Sequence, residues 1–196
     1  MQLFKDRFWY VRWCVIQAIS NHFNENTEKI LLDLLHDKHQ LIRVESADAL
    51  CFFNTSNVYN ALTEAALHDN YYMVRAYAAL GACRVGIEIG IDITYLQNFM
   101  TDRVNHERRI FNKILCFQGL YLAGKKEVLD SLYHYFERTT YQNQCAILNT
   151  FIELINQENA MDIYTIRKKL FVPEEKVAVI EVMKELDDLI ALYVSP

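Results

Sequence analysis

The sequence predicts an all-α protein built as a row of about six stacked helix pairs, and three observations carry that prediction. A short signature recurs at Asp6-x4-Val11-Arg12, Asp37-x4-Ile42-Arg43 and Asp69-x4-Val74-Arg75, with a weaker copy at Asp102-x4-Glu107-Arg108. The Asp positions lie 31, 32 and 33 residues apart, a period that marks stacked supersecondary units. Punctuation is sparse: five Gly and two Pro in 196 residues are too few for a many-stranded β fold and leave long helical segments between them. Finally, overlaying the copies on their Arg aligns Val11, Ile42 and Val74 one position before it, Val15, Ser46 and Ala78 three after, and Ile19, Leu50 and Ala82 seven after. These positions share one helical stripe. A single helix pair cannot bury such a stripe alone, so neighbouring pairs must stack.

Each unit reads as a first helix, a turn carrying the Asp, and a longer second helix carrying the Arg. The first unit has almost no first helix, because only residues 1–5 precede Asp6, and its second helix is expected over 8–23. Residues 24–27 break the chain. Ile30, Leu31, Leu34 and Leu35 then mark the buried face of the next first helix, followed by a second helix over 39–53. Asn54-Thr55-Ser56-Asn57 is a turn rich in N-cap residues. The third unit pairs 58–68 with 71–85. Gly86, Gly90 and Asp92 form the next break, with Asp92 or Thr94 as N-cap. The fourth pairs 93–100 with 104–122, where Gly124 suits a left-handed C-cap position. The fifth pairs 127–138 with 142–155, and the sixth pairs 160–170 with 173–193, Pro173 standing at a first helical position. All of 1–196 is expected to form one domain.

Composition narrows the function. Apolar residues are 52% and charged residues 23% of the chain, so it is globular. A formal net charge of −5 works against general phosphate-backbone binding. No run of 18 apolar residues marks a membrane span, and MQLFKDRFWYVRW is not a secretion signal. Five cysteines without a C-x-x-C pair imply a reducing compartment, so a cytoplasmic location is expected.

The signature resembles the HEAT-repeat family, particularly its compact bacterial type with D-x4-V-R-x2-A-A-x-A-L-G. The match is clearest over Asp37–Leu50 and Asp69–Ala82, recognisable over Asp6–Ile19 and weak over Asp102–Leu115. It therefore covers roughly the first 125 residues. The resemblance implies a right-handed superhelix whose second helices line a concave surface, most often used to hold another protein.

The Asp–Arg sets Asp6/Arg12, Asp37/Arg43 and Asp69/Arg75 are expected to form a structural ladder between repeats, since a carboxylate can accept from a guanidinium fork and from N–H groups at a helix start. A ligand-binding row of arginines would require them unpaired. Cys51, Cys83 and Cys116 each fall eight residues after a signature Arg, and Cys145 is read as the counterpart of Cys14; all are expected as core fillers rather than disulfide partners or zinc ligands. A HEAT-like enzyme family, deoxyhypusine hydroxylase, binds iron through His-Glu pairs just after the repeat Val-Arg. Here those positions read Val44-Glu45, Ala76-Tyr77 and Trp13-Cys14, and the lone His106-Glu107 is out of phase. That activity is rejected, and no metal, cofactor or catalytic residue is expected. G-x-S-x-G, Walker A and G-x-G-x-x-G are absent. Phycobilin lyases resemble this repeat type, but nothing marks a pigment pocket.

The expected function is non-catalytic: a scaffold or adaptor gripping a protein or extended peptide on its concave face. By periodicity that face comprises Tyr10, Trp13 and Gln17; Leu41, Val44 and Asp48; Met73, Ala76 and Leu80; and His106, Arg109 and Lys113. The mixture of aromatic, apolar, acidic and basic residues suits a protein ligand better than a uniform polyanion. The competing reading is a nucleic-acid binder, or a protein like the DNA-repair glycosylases of HEAT type, using the basic stretch Arg103–Lys113. Acidic net charge and two Trp confined to one helix weigh against it. Phe4, Phe8, Trp9 and Trp13 crowd an N-terminal end that lacks the polar face of a usual solenoid cap. Coverage by a second subunit in a homodimer, or by more of a larger parent chain, is expected there.

Overall fold

The computed structural model describes residues 3–194, and among them every regular element is helical. A 3₁₀ turn, Leu3–Lys5, stands where the first layer would have a first helix, and α1 (Trp9–Ile19) follows it. The next layers pair α2 (Glu25–Leu34) with α3 (Gln40–Leu50), α4 (Ser56–His68) with α5 (Tyr72–Glu88), and α6 (Ile93–His106) with α7 (Ile110–Leu122). The row ends with α8 (Val128–Phe136) and α9 (Tyr141–Leu154), then α10 (Ala160–Arg167) and α11 (Val177–Val194).

The starts and stops follow from local chemistry. The Asn24 side chain accepts from the N–H groups of Asn26 and Thr27, Thr55 from that of Val58, and Asp92 from that of Tyr95, each satisfying a donor that a helix start leaves open. Because Asn24 caps α2, the second unit's first helix begins inside the expected break. Gly124 has φ +91°. Its N–H bonds Tyr121 O at 2.9 Å while that of Lys125 bonds Leu120 O at 2.9 Å, a Schellman stop for α7. Two expected boundaries are corrected. Helix α6 runs on to His106, six residues beyond the expected end, so α7 begins at Ile110 rather than near 104. Pro173 lies in the loop before α11, where its carbonyl accepts from Lys176 N–H, and α11 starts at Val177.

Curvature follows from how the layers touch. The second helices α1, α3, α5, α7, α9 and α11 pack each on the next, whereas contact between successive first helices is sparse or lacking. The row therefore bends with its second helices on the inside. Ile42, Ser46, Leu50, Val74, Ala78 and Ala82 are all fully buried, as the small-residue stripe requires for close ridge-into-groove approach. In the end layer Val11, Val15 and Ile19 stay half-buried, having a neighbour on one side only. The helices approach closely at Gly119, where a Cβ would collide with Met100 Cε and Cys83 Sγ already donates to the Gly119 carbonyl at 3.3 Å.

Candidate functional site

Three arginines along the turns set the spacing of the layers. Arg12 holds the carboxylate of Asp37 through Nε and Nη2, the latter at 2.7 Å, while its Nη1 donates to the Asp6 carbonyl at 2.6 Å. Arg43 repeats this with Asp69 at 2.7 and 2.9 Å and the Asp37 carbonyl at 2.9 Å. Arg75 does the same with Glu107 at 2.7 and 3.0 Å and the Asp69 carbonyl at 3.0 Å. Each acidic side chain thus belongs to the layer after its arginine. Asp6, Asp37 and Asp69 also accept from the N–H two residues on, at 2.9, 2.7 and 2.8 Å, ordering the start of the next second helix. Burial pushes the Asp37 and Asp69 carboxyls upward, but the hydrogen bonds from Arg12 and Arg43, the N–H groups of His39 and Tyr71, and the nearby positive charge outweigh it and hold both below the ordinary carboxylate value.

The third rung corrects the register of the fourth copy. Glu107, 38 residues after Asp69, occupies the Asp position, and six residues later Lys113 occupies the Arg position. Asp102 instead lies on α6, bonded to Arg103 at 2.7 Å. Cys116 consequently aligns with Ser46 and Ala78, not with Cys51 and Cys83. The following layer has Arg138 at the acidic position and buried Gln144 at the basic one. The row of rungs stops there. Cys145 follows Gln144 directly, so it is not the counterpart of Cys14.

The expected concave face is partly misplaced. Val44, Ala76 and Leu80 are 7%, 1% and 6% exposed, so they cannot meet a partner. With about 100° per residue, the position just after the arginine points sideways into the adjacent second helix. The inner face instead carries the positions two, five and nine after the ladder residue. It reads Cys14, Gln17 and Asn21; Glu45, Asp48 and Phe52; Tyr77, Leu80 and Arg84; Leu115, Gln118 and Leu122; and Ala146, Asn149 and Glu153. Gln17, Asp48 and Leu80 belong to both sets, Leu80 lying buried within the stripe. His106, Arg109 and Lys113 fall away from this stripe: His106 ends α6, Arg109 is the N-cap of α7, and Lys113 is the ladder residue. Leu41 and Tyr10 are exposed and Trp13 and Met73 half-buried, two positions before or one after their arginines, at the edge of the face.

Polar contacts bridge the layers along this stripe. Gln17 donates to Glu45 at 2.9 Å. Glu153 of α9 accepts from Gln118 of α7 at 2.6 Å and, past α7, from Arg84 of α5 at 2.9 Å. A contact that skips a layer is the mark of a tight inner curve. Burial raises the Asp48 carboxyl, Glu45 and Glu153 add to that, and Arg84 opposes it. Burial raises the half-buried Tyr77 hydroxyl too, helped by the charges of Asp48, Glu45 and Glu153. Across the C-terminal ends of α3, α5 and α7 a cleft of about 420 Å³ is lined by Cys51, Phe52, Asn54, Arg84, Ile87, Glu88 and Leu122. Phe52 is largely exposed there, its ring 6.0 Å from that of Phe23. Periodicity carried only to position five, with position one in place of two, reaches Gln17 and Asp48 but not Glu45, Tyr77, Arg84 or Glu153.

The stretch Arg103–Lys113 does not form an open cationic strip. Arg103 is tied to Asp102 and to the Ala66 carbonyl, and Arg109 lies over the Tyr72 ring at 5.4 Å. Asp102 and Glu107 stand among the cations. His106 Nδ1 lies 3.0 Å from Asp102, while Glu107 is held by Arg75, so the His-Glu pair is split between two partners. The thiols offer no ready nucleophile in the core: burial pushes Cys51 up to about 11 and Cys83 and Cys116 up to about 12. Among the described residues no helix is long and apolar enough to cross a membrane.

No curated protein matches the chain significantly. A family model described as HEAT repeats matches residues 1–82, which span the first two rungs and most of α5. Residues 1–82 are thus of HEAT-repeat type, and the same helix-pair layering carries onward through α11.

Proposed function

We propose that this HEAT-repeat protein is a non-catalytic scaffold whose inner face grips a protein segment or extended peptide. HEAT repeats generally serve protein interaction, and the chemistry of the inner stripe favours a basic segment. The observation that carries this reading is an imbalance: Glu45, Asp48 and Glu153 face Arg84 as the one cation among the second-helix positions that form the stripe. A ligand lysine or arginine set against Asp48 would favour its charged form against the burial and neighbouring anions that raise it, and the Tyr77 ring adds a cation–π contribution. The cleft beside it offers Phe52, Ile87 and Leu122 to an apolar neighbour in the ligand. The ends of three helices at that cleft favour positive charge as well.

The nucleic-acid reading is weaker, because Arg103 is held by Asp102 and Ala66 and Arg109 lies over Tyr72, while counterion release needs several free cations. The test is calorimetric titration with a Lys/Arg-rich peptide library and with single-stranded and duplex DNA. Peptide binding that drops at least tenfold in Glu45→Lys/Asp48→Lys supports the scaffold reading. DNA binding that weakens steeply with salt, with no peptide binding, defeats it.

A further inference from the structure

The ladder has an acceptor with no donor. Asp6 has the same local geometry as Asp37 and Asp69: its Oδ1 takes the N–H of Phe8 at 2.9 Å and its carbonyl takes Arg12 at 2.6 Å. In the three complete rungs the acidic side chain also receives a bidentate guanidinium from the preceding layer. Among the described residues no cation pairs with Asp6, and the turn Leu3–Lys5 is the element before α1. A cleft of about 530 Å³ opens there, lined by both Asp6 and Arg7 among other charged side chains. Around it Leu3 and Phe8 are 51% and 56% exposed, and Trp9 is 40% exposed with its ring stacked on His39. The molecule itself thus states what such a carboxylate takes, and the end face presents a matching group one residue away, the exposed Arg7, lying over the Phe8 ring at 4.5 Å.

We propose that this end is a two-fold contact between copies of the chain, in which Arg7 of each copy fills the open Asp6 of the other. A two-fold contact needs a self-complementary patch, with donor and acceptor side by side and apolar surface between them. Asp6, Arg7, Leu3 and Phe8 supply these. The contact forms two charge-assisted fork pairs of the kind that lock the layers internally and covers the exposed Leu3 and Phe8 side chains. It is independent of what the inner face binds.

Sedimentation velocity and light scattering across a concentration series test it, with circular dichroism reporting the fold. The wild type is expected to be a dimer. Asp6→Asn keeps an oxygen to accept the Phe8 N–H while removing the charge, and is expected to weaken the dimer about tenfold or more. Asp6→Arg is expected to give a helical monomer, and Asp6→Arg with Arg7→Asp to restore the dimer. A wild type that stays monomeric at the highest concentration overturns the proposal. So does a dimer that ignores Asp6→Asn and Asp6→Arg, or a charge-swapped pair that fails to re-form it.

Discussion

Arg75 and Glu107 are 32 residues apart and close the third rung, Nε to Oε1 at 2.7 Å and Nη2 to Oε2 at 3.0 Å, with Glu107 almost wholly buried. Glutamate has one more methylene than the aspartates of the other rungs, and it arrives on a turn that follows a first helix of 14 residues rather than the 10 of α2. The fork geometry is retained while the backbone around it has drifted. What the layers keep constant is a planar two-bond contact between neighbours, and the residue that delivers the carboxylate varies.

Breaking the middle rung is expected to be strongly destabilising. Both side chains of Arg43–Asp69 are about nine-tenths buried, and removing one partner of such a pair leaves an uncompensated charge. Arg43→Met is expected to lower unfolding stability by about 3 kcal/mol, read from urea denaturation. Arg43→Lys should recover only part of that, because an ammonium cannot span both carboxylate oxygens. Equal stability of Arg43→Met and wild type would remove the ladder from any account of how the layers hold together.

The same carboxylates set an acid limit. Asp37 and Asp69 titrate below their ordinary value in the folded protein, so the unfolded chain takes up protons first as pH falls. Their contribution is fully present above the ordinary value of about 4 and is lost as pH drops through the lowered folded values. The urea midpoint is expected to fall steeply below about pH 4, and the fall should be shallower in Arg43→Met, where the lowering of Asp69 is gone.

Asp48 has the opposite sign. Burial, then Glu45, raise its carboxyl in the folded state, so it favours folding only while protonated and opposes it once pH rises through the raised value. Asp48→Asn is therefore expected to stabilise the free protein at pH 7, by about 0.5 kcal/mol given its partial exposure, while weakening capture of a basic ligand. Stability and binding moving in opposite directions would mark Asp48 as a residue kept for contact. A variant that loses both would be a folding residue instead.

The fold was legible because a stacked repeat writes its core several times over. Three copies of Asp-x4-apolar-Arg fix the second helices, and the stripe through Ser46 and Ala78 fixes which side they bury. The fourth copy misled because Asp102, Glu107 and Arg108 imitate the signature five residues early, at the end of a helix that has simply grown longer. The inner face was legible only in part. Gln17 and Asp48 follow from periodicity, but whether Leu80 or Val44 reaches the surface depends on how far the adjacent second helix overhangs it, and that is set by curvature, a property of several layers together.

Thiol chemistry gives a check on burial that needs no mutation. Of the five cysteines only Cys14 is exposed; Cys51, Cys83 and Cys116 are buried with thiols raised to between about 11 and about 12. A thiolate-selective reagent at pH 8 should modify Cys14 quickly and Cys145, half-buried and raised by burial, more slowly. The remaining three should react only at the rate of global opening, and all five in denaturant. Fast labelling of Cys83 in the folded protein would contradict the close approach of α5 and α7 at Gly119.

The end of the ladder can be extended. Lys113 stands where Arg12, Arg43 and Arg75 stand, yet the side chain two residues before the next N-cap, Thr140, is Arg138, so two cations meet where the earlier layers place a fork pair. The acidic position lies in the same turn as in the other layers, and Arg138 is exposed, so replacing it removes no packing. Arg138→Asp supplies the carboxylate and Lys113→Arg the fork. Each change alone should move stability by less than about 0.5 kcal/mol, since it creates at most a single-contact pair at a part-exposed site. Together they should gain about 1–2 kcal/mol beyond the sum of the two, the coupling expected of a charge-assisted bidentate bond. A double-mutant cycle with no coupling would mean that the α7–α9 boundary is set too wide for a rung, and that Gln144, bonded to the Phe136 carbonyl and to Lys176, already fixes that spacing by another route.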